Sequence, residues 1–228
     1  MPSRDKSITD MPKKRSTFLL SVLCFGMAFL YIPMFLLIVY SFNYSKIVSV
    51  WGGLSTRWYI SLFESEEIWS ALMLSLKIAI VNATFATLFG TLAGLALARF
   101  RHFRGRTLFT GMISAPLVMP EVITGLSLLL LFITLGDLIG WPEKRGITTI
   151  TIAHITFSLA YVAVIIESRL SGIGETLEEA ALDLGAKPLR VMMDITLPLL
   201  APGMLAGWLL AFTLSLDDLV IASFVSGP

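Results

Sequence analysis

Three carboxylates interrupt long apolar stretches of this sequence: Glu121, Asp217 and Asp218. Placing an ionisable side chain in hydrocarbon costs about 2.5 to 3.5 kcal/mol on insertion scales, so such groups usually face a pathway or a partner. Carboxylates attract cations and repel phosphate or sulfate, and the rings of Trp208 and Phe212, a few residues earlier in the chain, could add cation–π contact. These five residues are therefore the candidate cation pathway.

Each acidic position also has a structural interpretation. Asp217 and Asp218 could cap a helix or lie at the membrane interface, and Glu121 could be a neutral or hydrogen-bonded structural carboxyl, because buried carboxyls often lose their charge. Pro116 and Pro120 are expected to kink the helix beside Glu121 and to free backbone carbonyls there, near the middle of a membrane span. The sequence leaves both interpretations open.

A second unusual segment is EEAALDLGAKP, Glu178–Pro188, which is acidic and contains a glycine and a proline. Thr176 and Glu179 have the spacing of a capping box, which predicts a helix start. Gly185 suits the left-handed position after a helix, and Pro188 suits the first turn of the next one. The residues expected to share one apolar face are Leu177, Ala180, Ala181 and Leu184.

This helix and turn predict a docking surface made of small apolar residues flanked by charge. A further break is expected at Leu197–Pro198, because a proline cannot donate a backbone hydrogen bond. The alternative, a solvated amphipathic turn without a partner, stays open.

The amino-acid composition shows whether the surroundings of these residues are water or lipid. The chain has 228 residues, of which 56% are hydrophobic and 14% charged, with a mean hydropathy of +0.82, whereas a soluble domain has about 25% charged residues. This is the composition of a membrane protein. A net charge of +1 gives no basic field for nucleic acid. The single cysteine, Cys24, excludes an internal disulfide, and neither His102 nor His154 has neighbours that would form a metal site.

Five apolar runs are long enough to cross a bilayer, which takes about 20 helical residues. Lipid offers no partner to an unpaired peptide group, so these runs are expected to be helices in an all-α, polytopic transmembrane bundle. The predicted spans are Thr17–Phe42, Ile78–Ala98, Leu108–Leu135, Ile147–Ile166 and Leu199 to about Leu216.

Lysine and arginine in the short loops predict the orientation. Residues 1–16 form a cytoplasmic tail, residues 17–228 the transmembrane domain, and the loop at about 167–198 lies in the cytoplasm. The aspartate pair then falls roughly 27 Å along the fifth span, near its outer mouth. The cations that set this orientation are Arg4, Lys6, Lys13, Lys14 and Arg15 in the tail, and Arg99, Arg101, Arg104 and Arg106 after the second span.

The acidic segment, in this position, resembles the EAA loop of binding-protein-dependent ABC importer permeases. Three stretches resemble the polyamine (putrescine/spermidine) branch of that family, and most closely its putrescine permeases: YIPMFLLIVYSFN, APLVMPEVITGLSLLLLF and LSLDDLVIASFVSGP. The resemblance implies that the loop docks onto a cytoplasmic ATPase through the residues of the motif, which are Glu179, Ala180, Ala181, Gly185, Ile195, Leu197 and Pro198.

The same resemblance implies an inner-membrane transport subunit whose partners are a homologous permease, two ATPase subunits, a periplasmic polyamine-binding protein and membrane lipid. Family members typically have six spans, so the stop at Pro228 suggests that a sixth helix is missing by truncation. The sequence contains no phosphate-binding loop and no evident nucleophile–base pair, so we predict no catalytic site, no cofactor and no enzyme activity in this chain. The alternatives are a permease for another small solute, an ion-coupled secondary transporter and a membrane scaffold.

Overall fold

The computed structural model describes residues 13–47, 49–100 and 102–227, and the predicted tail therefore lies largely outside the described residues, as do Arg101 and Pro228. The chain divides into two compact units, one ending at Ser70 and the other beginning at Ala71. The helices are α1 Lys13–Ser41, α2 Arg57–Glu64, α3 Glu66–Arg99, α4 Arg106–Val118, α5 Glu121–Ile139, α6 Ile147–Ile173, α7 Thr176–Asp183, α8 Pro188–Val191, α9 Leu197–Asp217 and α10 Val220–Val225, with a π-helical turn at Met192–Thr196.

The first unit contains α1, α2 and a connecting loop organised by Asn43. The Asn43 side chain donates to the carbonyl of Val50 at 2.7 Å and accepts from the backbone N–H of Gly52 at 2.7 Å. The Trp58 indole N–H donates to the Asn43 carbonyl at 2.9 Å. One buried amide thus satisfies the polar backbone where the chain leaves the apolar helix α1.

Five helical segments in the described part of the chain are long and apolar enough to cross a membrane. This confirms the polytopic, all-α prediction, although the second span begins well before the expected Ile78. The segments are Thr17–Ser41, Glu66–Arg99, Glu121–Ile139, Ile147–Ile173 and Pro188–Asp217.

The third predicted span, Leu108–Leu135, is wrong as a single kinked helix. The chain forms α4 and α5, separated at Met119 and Pro120, both of which have extended backbone with ψ angles of 136° and 139°. The cause is Pro120, which disfavours the helical region for the residue before it. Glu121 consequently lies in the first turn of a helix and not in the middle of one.

The expected break at Leu197–Pro198 is also absent. The π-helical turn precedes α9, and the backbone N–H of Leu197 bonds back to the carbonyl of Met192. Pro198 then lies in the first turn of α9, directly after the wider π-helical turn. Helical structure therefore continues from Pro188 to Asp217.

Small residues allow α3, α6 and α9 to pack closely in the second unit. A methyl group built on Gly90 would lie 2.6 Å from the Val162 Cβ atom, and one on Gly207 would lie 3.1 Å from a methyl of the same valine. Lipid supplies no hydrophobic driving force between helices, so close backbone approach of this kind provides much of the attraction. Val162 is thus the contact shared by three spans.

We expect Gly94→Ala to destabilise the second unit by about 1 to 3 kcal/mol, as overpacking does in well-packed cores. The added methyl would lie 2.7 Å from the Ala163 carbonyl oxygen and 2.8 Å from the Ile166 Cβ atom. The matched control is Gly111→Ala in α4, where nothing lies within 4 Å of the new atom. The measurement is thermal unfolding of the purified variants in detergent, and equal melting temperatures for the two variants would contradict the packing argument.

Candidate functional site

Helix α7 begins at Thr176, as the sequence predicted, but the capping box is not formed. Thr176 is the first helical residue, Glu175 occupies the capping position, and no side chain caps the helix. The prediction was wrong by one residue: a box needs the hydroxyl outside the helix, where it can accept from a free N–H.

The end of α7 is a two-bond turn closed by Gly185, and the prediction for this glycine is confirmed. The N–H of Ala186 bonds to the Ala181 carbonyl at 3.0 Å, and the N–H of Gly185 bonds to the Leu182 carbonyl at 2.9 Å. This is the Schellman pattern, which requires a left-handed residue, and Gly185 has φ +85°. Pro188 begins α8 as expected.

The motif residues divide into two groups in the structure. Ala181, Gly185 and Ile195 line one depression of about 340 Å³ at the α7–α8 turn. The other members lie outside the lining of this depression: Glu179, Ala180, Leu197 and Pro198. Because α6 continues to Ile173 and α8 begins at Pro188, the chain between these spans is shorter than the predicted loop.

The rest of the described chain does not cover the apolar face of α7. Leu177 is 54% exposed and Leu184 is 89% exposed, and α7 has no buried residue. Exposed leucines of this kind, beside a rigid turn, mark a surface suited to a partner.

Glu178 differs from its neighbour Glu179, which is exposed. One oxygen of Glu178, Oε1, accepts hydrogen bonds from Arg99 Nη2 at 2.8 Å and from Thr196 Oγ1 at 2.7 Å. Sequence reasoning missed both contacts, because Arg99 precedes Glu178 by 79 positions and nothing local indicates the pairing.

The paired aspartates do not act as a pair. Asp217 is exposed, whereas the Asp218 side chain is 7% exposed and its Oδ2 lies 3.7 Å from Nε2 of the buried His154. The other oxygen, Oδ1, accepts from the backbone N–H of Ile221 at 2.8 Å, at the start of α10. The Asp218 side chain therefore makes a capping type of contact with the first turn of α10, the geometry that the structural alternative expected, whereas Asp217 is exposed.

Buried polar groups that the sequence analysis did not assign connect α3, α6 and α9. His154 Nδ1 lies 2.8 Å from the Ser215 hydroxyl, and the Asn82 amide donates to Ser158 Oγ at 3.1 Å and to the Ala211 carbonyl at 2.8 Å. Polar residues inside apolar spans were the available signal, since such residues rarely face lipid.

The aromatic candidates, Trp208 and Phe212, stack on each other with ring centroids 5.4 Å apart and an interplanar angle of 9°. Both pack against the core formed by α3, α6 and α9, and the Trp208 indole N–H donates to Thr84 Oγ1 at 3.3 Å. Each ring remains partly exposed.

Glu121 is exposed at the start of α5, where the helix dipole favours a negative charge. One turn later, a methyl built on Gly125 would lie 3.3 Å from the Ile221 Cα atom and 2.8 Å from the Phe224 ring. Because α10 follows Asp218 directly, the structure brings the helix that begins at Glu121 against the helix that Asp218 caps.

We expect Asp218→Ala to lower the free energy of unfolding by about 0.5 to 2 kcal/mol, because the N–H of Ile221 loses its acceptor at the start of α10. Asp217→Ala, its matched control on an exposed neighbour, should change stability by less than about 0.5 kcal/mol. Thermal unfolding in detergent measures both, and an Asp218→Ala variant as stable as Asp217→Ala would refute the division of roles.

Comparison with known proteins agrees with this architecture. Residues 86–228 match the family described as binding-protein-dependent transport system inner membrane component. The chain is 57% identical to the putrescine transport system permease protein PotI of Escherichia coli K12, over 97% of this chain and 79% of the relative. It is 43% identical to the spermidine/putrescine permease PotC of the same strain, over 88% of this chain and 74% of the relative. With five segments in the described residues long and apolar enough to cross a membrane, the chain is a multi-pass inner-membrane protein that belongs to the binding-protein-dependent transport system family.

Proposed function

We propose that this chain is the permease subunit of an ATP-driven importer that moves putrescine or spermidine inward. The observation that carries the substrate class is the 57% identity, over 97% of the chain, to a relative named as a putrescine permease. The exposed carboxylates of Asp217 and Glu121 support it, because a polyamine is a flexible cation that acidic groups attract.

The proposed partners are a homologous second permease, a cytoplasmic ABC ATPase dimer, a periplasmic polyamine-binding protein and membrane lipid. The uncovered leucines of α7 and the depression lined by Ala181, Gly185 and Ile195 support docking of the ATPase at this face. ATP hydrolysis belongs to that partner, and this chain is not an enzyme. The docking face and the N-terminus lie in the cytoplasm in this scheme.

Within the pathway, Asp217 and Glu121 contact the cation directly, and Asp218 fixes the start of α10 through the N–H of Ile221. Trp208 and Phe212 offer the partly exposed edge of a stacked aromatic pair on the same helix as Asp217. Such rings complement an ammonium group by cation–π contact, worth about 0.5 to 2 kcal/mol.

The test of this function is uptake of labelled putrescine and spermidine by vesicles containing the assembled complex. We expect ATP-dependent uptake, and Asp217→Asn should raise the half-saturating concentration about fivefold, equivalent to about 1 kcal/mol for a partly exposed contact. The effect should be larger for spermidine, which carries more charge, and Asp137→Asn, an exposed carboxylate at the far end of α5, is the control.

Three results would contradict the proposal. Uptake driven by a proton or sodium gradient without ATP would identify a secondary transporter. Failure of an ATPase subunit to co-purify would remove the docking argument. Transport of another solute in preference to polyamines would contradict the proposed substrate but not the family assignment.

Gly185→Val should disrupt the turn at the docking face, because a β-branched residue is strained at the positive φ angle of +85°. We expect normal membrane insertion, with loss of ATPase retention and of stimulated hydrolysis. Gly185→Asn is the matched control, since asparagine tolerates the left-handed conformation. The measurement is the amount of ATPase retained on the immobilised permease, and equal retention by the valine and asparagine variants would exclude a role for this turn in coupling.

A further inference from the structure

We propose that Glu178 is a positioning residue for energy coupling, and that Arg99, Glu178 and Thr196 form a clamp that makes α3 and α9 move with the docking helix α7. The inference rests on the proposed function, because it assumes that an ATPase displaces α7. It assigns Glu178 and Glu179 different tasks: Glu179 faces the partner, and Glu178 faces the spans.

The clamp centres on a single carboxylate oxygen. Glu178 Oε1 accepts from Arg99 Nη2 at 2.8 Å and from Thr196 Oγ1 at 2.7 Å. The same guanidinium nitrogen donates to the carbonyl of Gly174 at 3.2 Å, and Nη1 lies 3.8 Å from Glu175 Oε1. Arg99 therefore holds both the segment just before α7 and the first acidic residue of that helix, Glu178.

Burial distinguishes the clamp from an ordinary surface ion pair. The Arg99 and Glu178 side chains are 19% and 20% exposed, and Thr196 is buried. The Arg190–Asp194 pair nearby has exposures of 79% and 63%. Water screens an exposed pair and leaves it little net value, whereas a charge-assisted bond shielded from water is strong and directional.

Helix α7 depends on these bonds because little else fixes it. It has no buried residue, so apolar packing contributes little to its position. Its two ends are joined to the spans through Gly174 and Gly185, which have φ angles of +76° and +85°. The Gly185 end is held by the hydrogen bonds of its own turn, and the clamp fixes the Gly174 end, because Arg99 donates both to the Gly174 carbonyl and to Glu178.

The partners of Glu178 stand at the ends of two long elements. Arg99 is the last residue of α3, a helix of 34 residues. Thr196 is the last residue of the π-helical turn that leads directly into α9. A helix transmits displacement along its axis as a nearly rigid body, so a push on α7 reaches both spans through one carboxylate.

The test combines hydrogen exchange of the α7 amides with transport in the assembled complex. Glu178→Gln keeps the shape and removes the charge, and Thr196→Val removes only the hydroxyl. We expect each variant to raise amide exchange in α7 about tenfold, the effect of losing a hydrogen bond to a charged group, and to lower transport per ATP hydrolysed while the ATPase stays bound. The double variant should lose less than the sum of the two single variants, because both act on the same oxygen.

The controls separate the clamp from general damage. Thr196→Ser restores the hydroxyl and should restore coupling, and Asp183→Asn removes a charge from an exposed position of the same helix and should leave α7 exchange unchanged. Unaltered exchange and coupling in both Glu178→Gln and Thr196→Val would overturn the inference, as would equal losses in Thr196→Ser and Thr196→Val. Hydrogen exchange is measured without any transported substrate. If the complex transports a solute other than a polyamine, the proposed function is wrong, but the exchange measurement still tests the clamp.

Discussion

Hydrocarbon offers no hydrogen-bond partner to a peptide group, and this constraint governs the whole structure. It makes every span a helix and requires each interruption to supply its own partners. At Met119 the N–H bonds back to the Ala115 carbonyl. In the π-helical turn the N–H of Leu197 bonds to the Met192 carbonyl, and after α9 the Asp218 carboxylate accepts from the N–H of Ile221. All three interruptions lie beside candidate functional residues, which are Glu121, Leu197 and Asp217.

The same constraint explains which parts of the fold the sequence could predict. Long apolar runs require helices, so the five membrane-spanning segments found in the described residues were predictable, and so were the approximate centres of all but the third. The helix end at Gly185 and the helix start at Pro188 were also predictable, because tolerance of left-handed backbone and the lack of an N–H are properties of single residues. The single helix over Leu108–Leu135 failed because hydropathy averages over a window and does not respond to one extended dipeptide.

Tertiary partners were beyond the reach of the sequence. The sequence does not show whether the side chain of Asp217 or that of Asp218 is buried. The buried one, Asp218, lies beside His154, a residue of α6. The separation of Glu178 from Glu179 likewise depends on Arg99 and Thr196, residues of other elements. In both cases adjacent acidic residues differ in role because successive residues on a helix, or at its end, face different directions.

The contact of Val162 with both α3 and α9 limits which mutations the packing of these helices can accept. The valine touches the positions of Gly90 and Gly207 on two different helices. A larger residue at Gly90 needs a smaller one at position 162. Because position 162 is fully buried, that replacement leaves a void beside Gly207 and loses the dispersion contacts there. Compensation by a single second change is therefore incomplete, and the three positions are epistatic: their substitutions are accepted as a set or not at all.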